Sequence, residues 1–169
     1  QGSLVRFDNG FDSFEGKTVV YVNVDGSSGN RLGGSRAAHW MLLESAFQEL
    51  GTDEEDLTLI SAAGKQALRA TARNGIFVFR ANRASDILQS LTFSETHKLT
   101  AVISGGQEAW MVRDALADAG VPVVLNALDN LPGSFHRLGA RLDKAALLPE
   151  AGMTGPFSSG ETHNAPTLP

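Results

Sequence analysis

The residues of this chain best suited to chemistry collect at four places, each just after a short apolar run. Arg80, Asn82, Arg83, Ser85 and Asp86 follow Ile76-Phe77-Val78-Phe79, and Ser104, Gly105, Gly106, Gln107 and Glu108 follow Thr100-Ala101-Val102-Ile103. Asn126, Asp129 and Asn130 follow the run from Val121 to Leu125; Ser158, Ser159, Glu161, His163 and Asn164 follow that from Met153 to Phe157. Arginine and asparagine suit recognition of a small polar molecule, whereas a neighbouring Glu and His suit acid–base work or metal ligation. Taken singly, each has a structural use. Asp86 can cap a helix, Gln107 can satisfy a helix N-terminus, and Asn130 can build the turn before Pro132. Their shared location raises the functional reading, because ligands of parallel barrels and open α/β sheets bind at the carboxyl ends of strands.

Other chemistries are harder to assemble. A hydrolytic metal site needs several His and carboxylate ligands converging on one ion, and the chain has four histidines. His39 falls in a helical stretch beside Trp40, His97 falls at a helix end where it complements the dipole, and His136 reads as a surface residue. Only His163, near Glu161, is well placed. No Gly-x-Ser-x-Gly elbow and no Ser-His-Asp arrangement can be identified. Gly16-Lys17-Thr18 ends like a phosphate-binding loop, but Phe11 stands where that motif needs its first glycine, and a strand rather than a helix follows. The Gly/Ser-rich loop from Asp25 to Ser35 runs into a helix and offers N–H groups to an anion, with Arg31 and Arg36 nearby. The favoured reading is a surface loop with Ser35 as N-cap.

The elements that must position these clusters alternate regularly. Uninterrupted apolar strands suit a sheet covered on both faces, which is usually parallel. Between them, Ala84, Ile87, Leu88 and Leu91, then Val112, Ala115, Leu116 and Ala119, then Leu138, Leu142, Ala145 and Ala146 fall at helical spacing, the last set ended by Pro149. Repeated strand–helix units of this kind are βαβ units with right-handed crossovers. Before them, Lys17 to Val24 alternates and reads as a strand at a sheet edge. Two helices follow it. One is striped by Leu43, Ala46, Phe47 and Leu50 and ended by Gly51; the other starts at a Thr52–Glu55 capping box and is striped by Leu57, Ile60, Ala67 and Leu68. The expected fold class is therefore α/β: about four parallel βα units of a partial TIM barrel, preceded by an edge strand and two helices. Residues 1–35 form the N-terminal strand and Gly-rich loop, and residues 36–169 the partial barrel. Gln1-Gly2-Ser3 reads as the remnant of a cleaved tag.

Composition narrows the partners. With 169 residues, the chain is in the size range of one domain with a real core. A formal charge of −5 argues against a nucleic-acid surface, which needs clustered Lys and Arg. No apolar run approaches the ~20 residues of a membrane span. Cysteine is absent, which removes disulfides and thiolate metal sites and leaves the compartment open.

Several strings resemble those of imidazolonepropionase-like amidohydrolases. Arg80-Ala81-Asn82-Arg83-Ala84-Ser85-Asp86-Ile87 is similar to one family segment, and Gly105-Gly106-Gln107-Glu108-Ala109-Trp110 to another. Ala119 to Leu125, Leu128-Asp129-Asn130-Leu131-Pro132 and Leu138-Gly139-Ala140-Arg141-Leu142 continue the likeness in order, and Gly33-Gly34-Ser35-Arg36 precedes it. The resemblance implies a (β/α)8 barrel that hydrolyses C–N bonds other than peptide bonds with a divalent metal (zinc, manganese or iron) and a carboxylate base. In this chain it implies Glu161 as catalytic base, His163 as metal ligand, and Arg80, Asn82, Arg83, Asp129 and Asn130 as substrate contacts. It also implies a departure. Arg80 stands where the family has a ligating histidine, and an arginine does not ligate metals. Arg80 is expected instead to bind an anionic group or to pair with Asp86 or Glu108.

The resulting expectation is a hydrolase barrel half whose metal is completed by the remainder of the parent barrel, the isolated chain being inactive. A degenerate half kept as an interaction or scaffold domain is the second reading. A flavodoxin-like domain binding a phosphorylated molecule at Gly105-Gly106 is the third. Two open sheet edges predict self-association into a homo-oligomer, or capping of an edge by residues 1–75.

Overall fold

The computed structural model describes residues 2–5, 14–25, 35–51, 59–126, 139 and 157–158. Asp129, Asn130, His136, Glu161, His163 and the helical set from Leu142 to Ala146 lie outside these residues. The described elements are β1 (Gly2–Val5), β2 (Phe14–Asn23), α1 (Arg36–Gln48), α2 (Ala62–Asn74), β3 (Ile76–Ala81), α3 (Ala84–Thr96), β4 (Ala101–Gly105), α4 (Arg113–Asp118), β5 (Val123–Asn126) and β6 (Phe157–Ser158). They build one sheet in the order β1-β2-β3-β4-β5-β6, with β1 antiparallel to β2 and every later pair parallel.

Strictly sequential order is the informative feature. Right-handed crossovers between consecutive neighbours put every connecting helix on the same side of the sheet. A flavodoxin-like sheet reverses direction at a switch point, and no reversal occurs from β2 to β6. That rules out the third reading and gives the α/β layout of a partial TIM barrel. The strand expected over Lys17 to Val24 is β2. The sheet edge lies one strand further out, where Gly2 pairs with Val19 and Ser3 with Thr18. Gly2 and Ser3 thus belong to the sheet, and residues before 75 do cover the edge of β2. Alternation along β2 reports that one face lacks helices, which is a different property from edge position.

Local sequence explains most boundaries. Ser35 caps α1 by accepting the Ala38 N–H, and a 3-10 turn from Glu49 to Gly51 ends it. In the second helix, α2, Ser61 is the cap, accepting the Gly64 N–H at 3.2 Å, and Leu59 and Ile60 stand outside it as bends; the expected Thr52–Glu55 capping box and Leu57 lie outside the described residues. Gly75 ends α2 where a Cβ would run into the Thr71 side chain and the Thr18 carbonyl, so only glycine lets helix and sheet approach there. At the entrance to β5, Pro122 has no N–H to give the ladder and β5 begins at Val123.

The core lies between the sheet and its helices. Phe77, Phe79, Ile87, Ile103 and Leu116 are fully buried, each worth about 1.5–3 kcal/mol of transfer free energy. Phe47 of α1 meets Phe77 at 5.8 Å and Phe93 of α3 at 4.9 Å, the latter nearly perpendicular, and Phe93 also reaches Phe79. Among the described residues, no helix is long and apolar enough to cross a membrane.

Candidate functional site

Strand alternation sorts β3 into two faces. Phe77, Phe79 and Ala81 are fully buried and face the helices, so Ile76, Val78 and Arg80 point to the other side. The register carries this across the sheet. Tyr21 pairs with Val78 and Val78 with Val102, while Asn23 pairs with Arg80 and Arg80 with Ser104. The helix-free face, which is the interior of a barrel, therefore carries an apolar row ending in a polar row of Asn23, Arg80 and Ser104 at the carboxyl ends of β2, β3 and β4. That is where barrels place ligands.

Arg80 is held from one side. Its Nε lies 3.6 Å from Oδ2 of Asp25, whose side chain is 9 % exposed while that of Arg80 is 60 % exposed. The Val24 N–H donates to the Arg80 carbonyl and the Asp25 N–H to Asn23 Oδ1, which ties the end of β2 to the end of β3. The partner expected for Arg80 was Asp86 or Glu108, and both are committed elsewhere. Asp86 Oδ2 sits 3.4 Å from Arg36 Nε, joining the first turns of α3 and α1. Glu108 accepts the Ala84 N–H through Oε2 at 3.0 Å and the Gly139 N–H through Oε1 at 3.2 Å.

Asn82 and Arg83 do not join Arg80 in its row. Asn82 is buried against the turn after β4: a Cβ on Gly105 would lie 2.5 Å from Asn82 Oδ1, and the Asn82 carbonyl accepts the Glu108 N–H. Gly105 and Gly106 both have positive φ, +100° and +58°, so glycine is required at this turn. Arg83 is the N-cap of α3 but makes no side-chain cap bond, the Glu108 carboxylate filling that role. Gln107 is fully buried behind the turn. His39 also lies near the rim end of α1. Burial lowers its pKa below 6.5, and its Nδ1 is buried with no partner among the described residues. His97 closes α3, with Nε2 2.6 Å from Glu44 Oε2.

Two rim residues, Asn23 and Asp25, escape the sequence reading. The signal was present: Val19 to Val24 is an apolar stretch followed by polar residues, like the four later runs, but reading β2 as peripheral removed it from the functional face.

The rim can be tested for metal. Among the described residues, no group of three or more His, Cys, Asp or Glu could hold an ion. Asp25, Asp86 and Glu108 serve Arg80, Arg36 and two backbone N–H groups respectively. The described rim does not fit a divalent metal. A groove of about 810 Å³ between α3 and α4, lined by Leu88, Leu91, Lys98, Leu99, Ala115 and Val121, lies at the opposite ends of the strands and is separate from this site.

A parallel sheet with helices on one face and polar strand ends on the other defines a partial barrel. A solved structure agrees on the fold. The chain is similar to the crystal structure of an amidohydrolase from Thermotoga maritima MSB8, with a TM-score of 0.74 and 16 % sequence identity over 84 % of this chain. The chain spans 41 % of that protein's length. No family model matches the sequence, and no curated protein matches it.

Proposed function

We propose that this chain is part of the barrel of an amidohydrolase-related hydrolase, of imidazolonepropionase-like type, whose parent protein cleaves carbon–nitrogen bonds other than peptide bonds. The supporting observation is the barrel likeness to the Thermotoga maritima amidohydrolase, with Asn23, Arg80 and Ser104 in one row at the strand ends on the helix-free face. On this reading Arg80, with Asp129 and Asn130, binds and orients a small-molecule substrate, while Asn82, buried against the Gly105 turn, and Arg83, at the N-cap of α3, stand behind it. Glu161 is the base and His163 the one metal ligand from this chain. The zinc, manganese or iron would be held mainly by the remainder of the parent barrel, and no bond-breaking step is assigned to the described rim. The isolated chain is inactive. That remainder is also the partner proposed for the helix-free face, where Tyr21 is 69 % exposed.

The experiment is metal analysis of the full-length parent, combined with hydrolysis assays on cyclic and linear non-peptide amides. Bound metal with turnover supports the reading. A parent with neither is a degenerate barrel used as a scaffold, the alternative that the Arg80–Asp25 pair favours.

A further inference from the structure

We propose that the rim of this barrel half is an oxyanion-binding site centred on Arg80, so that the small molecule it takes carries a carboxylate or phosphate group. This rests on the reading of the carboxyl rim as the functional face and deepens it. The local chemistry is that of a tethered cation. A guanidinium offers five N–H donors in a planar fork that matches carboxylate and phosphate oxygens. In Arg80 the Nε edge is steadied by Asp25 at 3.6 Å, and most of the side chain is open to solvent.

Three further observations favour an anion there. Asp25 is nearly buried and its N–H donates to Asn23 Oδ1, so the carboxylate facing Arg80 is anchored at the end of β2. Asn23 and Ser104 flank Arg80 in register on the neighbouring strands, both able to donate a hydrogen bond to an oxygen held between them. The carboxylates that would compete, Asp86 and Glu108, are turned to Arg36 and to backbone N–H groups on the helix side. On a chain of net charge −5, an exposed guanidinium that faces Asp25 but neither Asp86 nor Glu108 is a specific arrangement.

The test is calorimetric titration of the full chain with inorganic phosphate and with succinate, using sodium chloride at matched ionic strength as control. Either anion is expected to bind, and Arg80→Met to weaken binding by about tenfold or more, as loss of a charge-assisted hydrogen bond predicts. Asp25→Asn, which loosens the positioning of Arg80, should weaken binding less, and Arg80→Lys should retain part of it. Because Arg80→Met removes the guanidinium facing Asp25, the double variant Arg80→Met/Asp25→Asn is measured beside it, with circular dichroism to verify folding. Preference for phosphate over succinate identifies a phosphorylated substrate, and the reverse a carboxylic acid. No binding of either anion, or unchanged binding in a folded Arg80→Met or double variant, overturns the proposal. Anion binding by a parent without hydrolysis would overturn the hydrolase reading and leave this one standing.

Discussion

Glu108 and Gly139 are joined by a hydrogen bond of 3.2 Å, from the Gly139 N–H to Oε1, while the other oxygen of the same carboxylate takes the Ala84 N–H. Trp110, two residues on, donates its Nε1–H to the Gly139 carbonyl at 2.9 Å. Ala84, Glu108 with Trp110, and Gly139 come from three separate sequence strings that carry the amidohydrolase resemblance. One side chain thus pins all three, so those strings encode architecture before chemistry. The helix dipole of α3 adds to the arrangement, because a carboxylate at a helix N-terminus is favoured.

Glu108→Ala is therefore expected to destabilise the fold by about 1–3 kcal/mol, the cost of leaving backbone donors unpaired. Glu108→Gln should recover little, since its amide turns an N–H toward one of the two donors. Urea unfolding of the three proteins measures this, and a Glu108→Ala midpoint equal to that of the parent sequence would remove the clamp from the account.

Gly105 tests the turn that separates Asn82 from Arg80. Its φ of +100° and the closeness of Asn82 Oδ1 act independently. Gly105→Ala should cost about 1–3 kcal/mol of backbone strain together with displacement of Asn82. Adding Asn82→Ala should relieve the contact but not the strain. A double-mutant cycle by chemical denaturation reads the difference, and full additivity would mean that the two residues do not press on each other.

Much of the fold is legible in the sequence because each β run is short, apolar and followed by a helical stripe. Ile76 to Phe79 and Thr100 to Ile103 become β3 and β4 with small shifts, and α3 covers its predicted stripe. What local pattern cannot convey is which neighbour a strand takes. The place of β2 inside the sheet depends on pairing with residues more than fifty positions away. The pairing of Arg80 with Asp25 has the same cause, since both residues reach the rim only once β2 lies beside β3.

Phe93 is where α1, α3 and the sheet meet. It is 4 % exposed and its ring lies within 6.2 Å of the rings of Trp40, Phe47, Phe79 and His97. Phe93→Ala should cost about 3–5 kcal/mol, as for large aromatic truncations in cores, whereas Phe93→Leu should keep most of the stability. Thermal and denaturant unfolding decide. A loss below that of an ordinary surface substitution would show that the aromatic cluster does not hold α1 onto the sheet.

His39 predicts a pH dependence whose sign can be worked out. Burial disfavours its charged form, so its folded-state pKa lies below the 6.5 of the unfolded chain. Between those two values the unfolded state binds more protons than the folded one, and stability falls as pH falls. Above 6.5 the contribution is constant and fully favourable to the fold; below the folded pKa the loss is complete. Urea midpoints measured on both sides of pH 6.5 should drop on the acid side, and His39→Gln should flatten that part of the profile, because glutamine does not titrate. An NMR titration of the His39 ring resonance gives the folded pKa directly. A value at or above 6.5, or an unaltered acid limb in the variant, would show that the buried Nδ1 is not what penalises protonation.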